Sequence, residues 1–317
     1  MNIIVNAFAF LDKYRSGENI SINKGGSEEQ IKELYLKNSC ISLISAKRFN
    51  PQDEVALCTN IEVPQYYIEI LNKEEIKILK IPFDTFQFEK EMKWSLAFYK
   101  ICVLNHLLEE TCYEKICLLD CDTIVNKDFA ALWDEAGYGV LMYNTFDSYE
   151  SKMRQDIKRE FQELFPEYDC RNNEYFAGGE ITGDRKYIKE LVHTCRLIYN
   201  TMLSKKKETT VGDEFFWYGV DKMKPGLIIA GNGYYEHYWT YEGFRLISTN
   251  YFYKKVSVMH FPVEKEKGII KVFDYYVRKR EFPEQRILWH MLSLPQPDGR
   301  NVYIWHILSI LKKKYIL

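Results

Sequence analysis

Two carboxylates, Asp120 and Asp122, come directly after the short apolar segment 115–119. In an open parallel sheet, ligands collect at the carboxyl ends of the strands, where this pair would lie. Because alternate residues of an extended chain point to the same side, we expect both carboxylates to converge on one place. Two close anions repel each other, and a divalent cation that also binds phosphate oxygens relieves this repulsion. The pair therefore predicts a Mg²⁺ or Mn²⁺ site for a diphosphate ligand. The alternative is that the two acids only open a loop and cap the segment after it.

The segments around the pair alternate between apolar, β-branched runs and longer periodic runs, which predicts alternating strands and helices. Strands are predicted at residues 2–10, 41–45, 55–59, 76–82, 115–120, 138–143, 175–182, 227–230 and 255–260. Helices are predicted at residues 27–38, 66–75, 93–110, 151–164, 184–203 and 305–315. The helix at Ser27 begins with a capping residue followed by acids in its first turn. This order indicates an α/β fold with a mostly parallel sheet flanked by helices, over residues 1–265, followed by a helical extension over 266–317.

The composition narrows the function classes. The chain has 317 residues and a net charge of −2, which gives no indication of nucleic-acid binding. Residues 264–317 hold 11 lysines and arginines against 6 acidic residues, so the extension is basic. Its apolar, lysine-rich end at 305–317 could lie on a membrane surface, and a terminal helix docked on the core is the alternative.

No apolar run reaches the roughly 18 residues of a spanning helix, and the first residues lack the pattern of a secretory signal. The eight cysteines are therefore expected to be reduced, in a cytoplasmic protein that could contact the inner face of the membrane peripherally.

The apolar strand followed by Asp-x-Asp resembles the DxD signature of glycosyltransferases with the GT-A fold. Other segments resemble the family's pattern in order and spacing, most closely in its glycogenin-like and bacterial galactosyltransferase branches. These segments are Tyr99-Lys100, Glu174-Tyr-Phe-Ala-Gly-Gly179, Gly212-Asp213-Glu214 and Val258-Met259-His260-Phe261. The resemblance implies a GT-A domain that transfers a sugar, a hexose, from a nucleoside diphosphate sugar to a glycan or lipid-linked acceptor. A UDP-sugar is the favoured donor, and Mn²⁺ or Mg²⁺ is the implied cofactor.

The resemblance also implies roles for individual residues. Asp122 would ligate the metal, Asp120 would ligate it or hold the ribose, and His260 would be the third ligand. The residues implied to border the donor are Asn6, Ala7 and Phe8 beside the base, Lys100 facing the phosphates, and Gly178 and Gly179 beside the sugar. Asp213 and Glu214 are the implied catalytic pair near the reacting carbon. One of them could accept the proton of the attacking hydroxyl, and whether transfer retains or inverts the anomeric centre stays open.

These residues have structural alternatives, and the chain has alternative functions. Asp213 and Glu214 could simply start a helix, the two glycines could form a bulge, and Lys100 could be solvated. The spacing Asp120-x-Asp122 also resembles the motif of haloacid-dehalogenase-type phosphatases. A non-catalytic carbohydrate-binding protein would explain the aromatic cluster at 234–241 but not the two acids. We therefore predict a metal-dependent glycosyltransferase.

Overall fold

The strands form two sheets. The computed structural model describes residues 1–11, 27–88, 94–145, 152–171, 174–240 and 256–294. Within these ranges the strands are β1 (Asn2–Phe8), β2 (Glu54–Thr59), β3 (Lys77–Lys80), β4 (Lys115–Leu119), β5 (Thr123–Val125), β6 (Val140–Asn144), β7 (Phe176–Asp184), β8 (Ile228–Ala230), β9 (Tyr235–His237) and β10 (Val258–His260). The larger sheet has the order β3-β2-β1-β4-β7-β6-β8, and the smaller one has the order β5-β10-β9.

The larger sheet is mostly parallel. β3, β2, β1 and β4 run in the same direction, and β6 pairs in parallel with β8. Strand β7 lies antiparallel between β4 and β6. The predicted α/β class with a mostly parallel sheet flanked by helices is therefore confirmed. The carboxyl ends of β1 and β4 lie side by side, because Asn6 pairs with Leu119 in the register of the two strands.

The helices occupy the connections between strands. They are α1 (Glu28–Phe49), α2 (Gln65–Lys73), α3 (Tyr99–Glu110), α4 (Ala130–Glu135), α5 (Lys152–Leu164), α6 (Arg185–Ser204), α7 (Glu214–Met223), α8 (Gly268–Lys279) and α9 (Gln285–Met291). Helix α1 begins as predicted. Gln30 N–H donates to the Ser27 hydroxyl, while Ser27 N–H donates to the Gln30 side chain, so two otherwise unpaired donors are satisfied.

Helix α1 continues to Phe49, so the predicted end near residue 38 and the predicted strand at 41–45 are wrong. A short apolar run does not by itself distinguish a buried strand from a buried helix segment. Here every side chain from Asn38 to Ala46 is buried, because this half of α1 is covered on all sides. The helix predicted at 93–110 begins as a 3₁₀ turn, Ser95–Phe98, before α3.

Helices cover both faces of the larger sheet. Ile3 and Val5 of β1 point to one face, where they pack with α3, α5, α6 and α7. Ile4 points to the opposite face, which is covered by α1, α2, α4, the smaller sheet and the first helices after residue 265. Phe273 of α8 and Trp289 of α9 thus share a core with α1. The division at residue 265 stays a prediction, and the helix predicted at 305–315 lies outside the described residues.

No helix in the described ranges is long and apolar enough to cross a membrane. None of the eight cysteines, all of which lie in those ranges, forms a disulfide bond. Seven of them are buried, and only Cys112 is exposed.

Candidate active site

The two acids lie in a turn between β4 and β5, not in an extended segment as predicted. Thr123 closes this turn, because both its N–H and its hydroxyl donate to the Asp120 carbonyl, at 3.3 and 2.8 Å. The Thr123 hydroxyl also contacts the hydroxyl of Ser42 on α1, at 2.8 Å. The contact with Ser42 thereby attaches the turn to helix α1. The two carboxylates converge because the chain turns between them, and not because alternate residues of a strand share a face.

Strand β10 brings His260 to this turn. His260 pairs with Thr123 in the antiparallel register of β10 and β5, and Phe261 N–H donates to the Asp122 carbonyl at 2.9 Å. His260 Nε2 lies 3.1 Å from Asp122 Oδ2 and 3.9 Å from Asp120 Oδ2. One ligand atom from each of these three residues lies within 4.8 Å of the others. Residues from distant parts of the sequence therefore form one cluster.

The charged groups of this cluster strongly shift one another's pKa values. Asp122 is fully buried, and its Oδ2 lies 3.0 Å from Lys265 Nζ. Burial alone would raise the pKa of Asp122, but His260 and Lys265 outweigh it and hold that pKa well below its usual range. Burial would lower the pKa of His260, whereas Asp122 and Glu180 raise it to about 10. Asp122 is thus held as an anion by the two side chains beside it, Lys265 and His260.

The donor atoms of this cluster fit a divalent metal. Asp122 Oδ1 is buried and has no hydrogen-bond partner within the described part of the chain. Asp122 Oδ2 and His260 Nε2 are buried too, and they have ion-pair neighbours but no well-directed hydrogen bond. Such groups are usually hydrogen-bonded when buried, so their exception needs an explanation. Carboxylate oxygens with one imidazole nitrogen are a donor set that suits Mn²⁺ or Mg²⁺.

Lys100 lies on the other side of the two acids. Its Nζ is 2.7 Å from Asp120 Oδ1, 3.3 Å from Asp213 Oδ2 and 2.8 Å from the carbonyl oxygen of Gly178. Lys100 therefore joins β4, β7 and the start of α7 and is not a solvated helix lysine. Asp213 is itself almost fully buried and accepts a hydrogen bond from Trp217 Nε1 at 3.2 Å.

Gly178 has to be a glycine because Asp213 approaches it closely. A Cβ at this position would lie 2.0 Å from Asp213 Oδ2 and 2.5 Å from Trp217 Nε1. We expect Gly178→Ala to displace Asp213 from Lys100, to lower the transfer rate at least about tenfold and to cost about 1–3 kcal/mol of stability. Initial rates and urea unfolding measure both effects. Gly183→Ala, on the same strand, would place its Cβ 3.1 Å from the end of the flexible Ile188 side chain and 3.4 Å from the Gly139 carbonyl oxygen, and serves as the milder control. Equal rates for the two variants would contradict the prediction.

Glu214 sits beside Asp213 and titrates near neutrality. Burial, together with the Asp213 carboxylate, raises the pKa of Glu214 to about 7. In the unfolded chain a glutamate loses its proton near pH 4.3. The folded state therefore binds more protons between about pH 4 and 7, and the free energy of unfolding falls as the pH rises through this interval.

The Glu214→Gln variant has no ionisable group at this position, so this fall in the free energy of unfolding does not occur in it. We expect the variant to match the parent chain near pH 4 and to be more stable by about 1–3 kcal/mol near pH 8. Urea unfolding of the metal-free proteins at both pH values tests this. Glu266→Gln, which changes an exposed side chain, controls for the loss of one charge. A difference between parent and Glu214→Gln that stayed constant with pH would contradict the prediction.

Comparison of the sequence with models of known protein families identifies a family. A model described as glycosyl transferase family 8 matches residues 30–261. The chain belongs to glycosyl transferase family 8. It is therefore a glycosyltransferase, and no comparison supports the phosphatase or the non-catalytic binding protein. No curated protein sequence matches the family 8 chain significantly.

Solved structures of LgtC share the fold of this family 8 glycosyltransferase. One is the structure of an active-site mutant of LgtC, which is 15% identical in sequence, with a TM-score of 0.54. The match covers 92% of this chain and 100% of the LgtC chain. Another, described as the galactosyltransferase LgtC in complex with donor and acceptor sugar analogues, is 14% identical, with a TM-score of 0.52, and covers 95% and 100%. At these identities the similarity shows the GT-A fold and nothing finer.

The predicted site residues line one large cleft. Its volume is about 1040 Å³, and its walls include all but one of the predicted site residues. Those residues are Ala7, Phe8, Lys100, Asp120, Asp122, Gly178, Gly179, Asp213, Glu214 and His260. Asn6 is the exception, because its amide is buried and donates to the Leu119 carbonyl at 2.9 Å and to Ser42. Asn6 therefore holds the end of β4 beside β1 and does not reach the cleft.

The aromatic cluster at 234–241 divides between core and cleft. Tyr235 and Tyr238 are buried in the core. Trp239 is 42% exposed and lines the cleft. Tyr241 lies outside the described residues.

Three titratable side chains beside the cluster have no place in the site predicted from the sequence. Lys265 follows β10 at the place that was assigned to a domain boundary. Glu180 and His237 form a hydrogen bond of 2.9 Å directly behind His260. An acid placed inside an otherwise apolar strand, directly after two glycines, was the available indication for Glu180.

Proposed function

We propose that this glycosyltransferase uses a nucleoside diphosphate sugar, with a UDP-sugar favoured, and a divalent metal held by Asp120, Asp122 and His260. The observation that carries the proposal is the convergence of these three side chains on the wall of the cleft, between the cations Lys100 and Lys265. A strong anion with two phosphates suits this arrangement, because two lysines and a metal can balance its charge. Mn²⁺ or Mg²⁺ are the ions that fit the donor set.

The chain's own residues would orient the donor along the cleft. Ala7 and Phe8 lie at the end of β1, and the Phe8 ring stacks on Tyr35 with 5.3 Å between the ring centroids. This end offers an apolar wall for the base. Gly178 and Gly179 present backbone where the sugar would lie, next to Asp213. The bound metal would supply charge stabilisation to the departing nucleoside diphosphate.

The acceptor would enter beside Trp239, the exposed ring of the cleft wall. An exposed indole beside a polar cleft suits stacking on a sugar ring, which supports a glycan or a lipid-linked glycan as acceptor. Asp213 and Glu214 are the acids placed to hold the attacking hydroxyl or to accept its proton. A cytoplasmic location and a peripheral membrane contact of the basic extension stay proposals.

Binding of UDP should depend on the metal. We expect UDP with Mn²⁺ to raise the melting temperature by several degrees, since a ligand at 100 times its Kd stabilises by about 2.7 kcal/mol. UDP with EDTA and Mn²⁺ alone should each give a smaller shift. Thermal unfolding of the full chain with UDP, GDP and AMP measures this, and AMP controls for weak nucleotide binding. An equal UDP shift with and without EDTA would overturn the metal-dependent function.

A further inference from the structure

A second buried carboxylate, Glu180, stands behind the imidazole of His260. Glu180 lies on β7 and is fully buried. Its Oε1 is 3.0 Å from His260 Nδ1, and its Oε2 is 2.9 Å from His237 Nε2. A buried charge costs several kcal/mol unless partners compensate it, and an apolar side chain of similar size would avoid that cost. The stability of the core therefore does not explain why an ionisable residue occupies this position.

The Nδ1 nitrogen of His260, which faces Glu180, must carry a proton if His260 is to bind a metal. A neutral imidazole carries one N–H and one lone pair. To ligate a metal beside Asp122, His260 must offer the lone pair of Nε2, so its proton must sit on Nδ1. That buried N–H needs an acceptor. Two polar atoms lie near Nδ1, which are Glu180 Oε1 at 3.0 Å and His237 Nε2 at 3.2 Å. Glu180 Oε1 has no hydrogen bond to any other residue that the structure describes, so it can accept this proton.

His237 fixes the carboxylate in turn. A carboxylate can only accept, so His237 Nε2, which lies 2.9 Å from Glu180 Oε2, carries its proton and cannot also accept from His260 Nδ1. The His237 ring stacks on Tyr143 with 4.0 Å between the centroids. Gly179 leaves room for the His260 ring, because a Cβ there would lie 2.6 Å from His260 Nδ1. The imidazole is therefore held by backbone on one side and by a carboxylate at Nδ1.

We propose that Glu180 is a positioning residue for the metal ligand His260. It accepts the Nδ1 proton, leaves Nε2 free to ligate and fixes the ring toward Asp122, while His237 holds the Glu180 carboxylate in place. This inference rests on the proposed metal-dependent function. Carboxylates that accept from a metal-ligating histidine raise its ligand strength, and losing one typically lowers metal affinity about 10- to 100-fold.

The test measures Mn²⁺ binding and not transfer. Isothermal titration gives the Kd and the stoichiometry, and pulsed electron paramagnetic resonance detects the ¹⁴N coupling of a histidine bound to Mn²⁺. We expect Glu180→Leu to lose about 10- to 100-fold in affinity and to lose the nitrogen coupling. Glu180→Gln keeps an acceptor oxygen, so it should keep the coupling and lose affinity only about threefold to tenfold. Glu236→Gln, on β9 beside His237, contacts Tyr143 and not His260, and should bind Mn²⁺ like the parent chain.

The outcomes separate this inference from the proposed function. If the parent chain and Asp122→Asn bind Mn²⁺ alike, the metal site itself is wrong. If Asp122→Asn loses the ion but Glu180→Leu keeps the parent affinity and coupling, Glu180 does not position His260. If Glu180→Leu does not fold, parent-like affinity in Glu180→Gln overturns the inference. A stoichiometry of two ions that falls to one in Glu180→Leu also overturns it, because Glu180 would then be a ligand.

Discussion

Asp122→Asn is expected to lower the transfer rate by about 10³-fold while the chain stays folded. Asparagine has the shape of aspartate without its charge, so the change removes the anion that lies 3.0 Å from Lys265 and 3.1 Å from His260. Losing a preorganised electrostatic partner of a transition state typically costs about 10²- to 10³-fold, and this residue would also hold the metal. Initial rates with saturating Mn²⁺ measure the effect, and circular dichroism confirms the fold.

Asparagine is a better replacement than alanine. The sequence places Asp122 in a loop, which suggests that alanine would be harmless to the fold, but the structure buries the side chain completely. Alanine would leave the buried Lys265 and His260 without their shared anion. Asp134→Asn, on the exposed side of α4, is the matched control and should keep the parent rate. Turnover within threefold of the parent in Asp122→Asn would refute the role given to this residue.

Lys265→Gln is expected to lower kcat/KM for the donor about 10- to 100-fold. Lys265 lines the cleft, and its ammonium is held beside the acids where a diphosphate would lie. A hydrogen bond to a charged group contributes about 1.5–3 kcal/mol, which corresponds to this range. We expect the affinity for UDP to fall in parallel, because the lysine would act on the diphosphate itself. Steady-state kinetics and UDP titration measure the two effects.

Lys267→Gln provides the comparison for this lysine. It lies two residues further on, is exposed and carries the same charge. We expect a change below about twofold, since an exposed charge is screened by solvent. If both variants lost the same affinity, the effect would come from the general positive potential of the basic extension. A parent-like UDP affinity in Lys265→Gln would remove Lys265 from the site.

The sequence predicts most of the site because most of it lies at the ends of strands. Asp120 follows from the rule that ligands collect at the carboxyl ends of parallel strands, where the structure places it. Ala7 and Phe8 were implied by the resemblance and line the same cleft. The glycines and the Asp213 pair came from a resemblance in order and spacing. These residues come close together in space because β7 lies antiparallel beside β4, and no local sequence pattern indicates that placement.

The rest depended on tertiary contacts that a sequence pattern does not contain. The second half of α1 has the composition of a strand, and only its coverage on every side explains why it is a helix. Lys265 belongs to the site because the chain turns back after β10 toward Asp122, and Glu180 belongs to it through two histidines far away in the sequence. Asn6 was placed correctly on its strand, but its side chain points to the face covered by α1, where it donates to Ser42, and not into the cleft.

The ladder between β5 and β10 has a mechanical consequence. Thr123 and His260 are paired neighbours, and Phe261 N–H is bonded to Asp122. A shift of the outer helices, or an opening of the cleft, would therefore carry the aspartate and the histidine along as a single rigid clamp. The spacing of their ligand atoms is set before any ion arrives, so the reorganisation needed for ion capture is small.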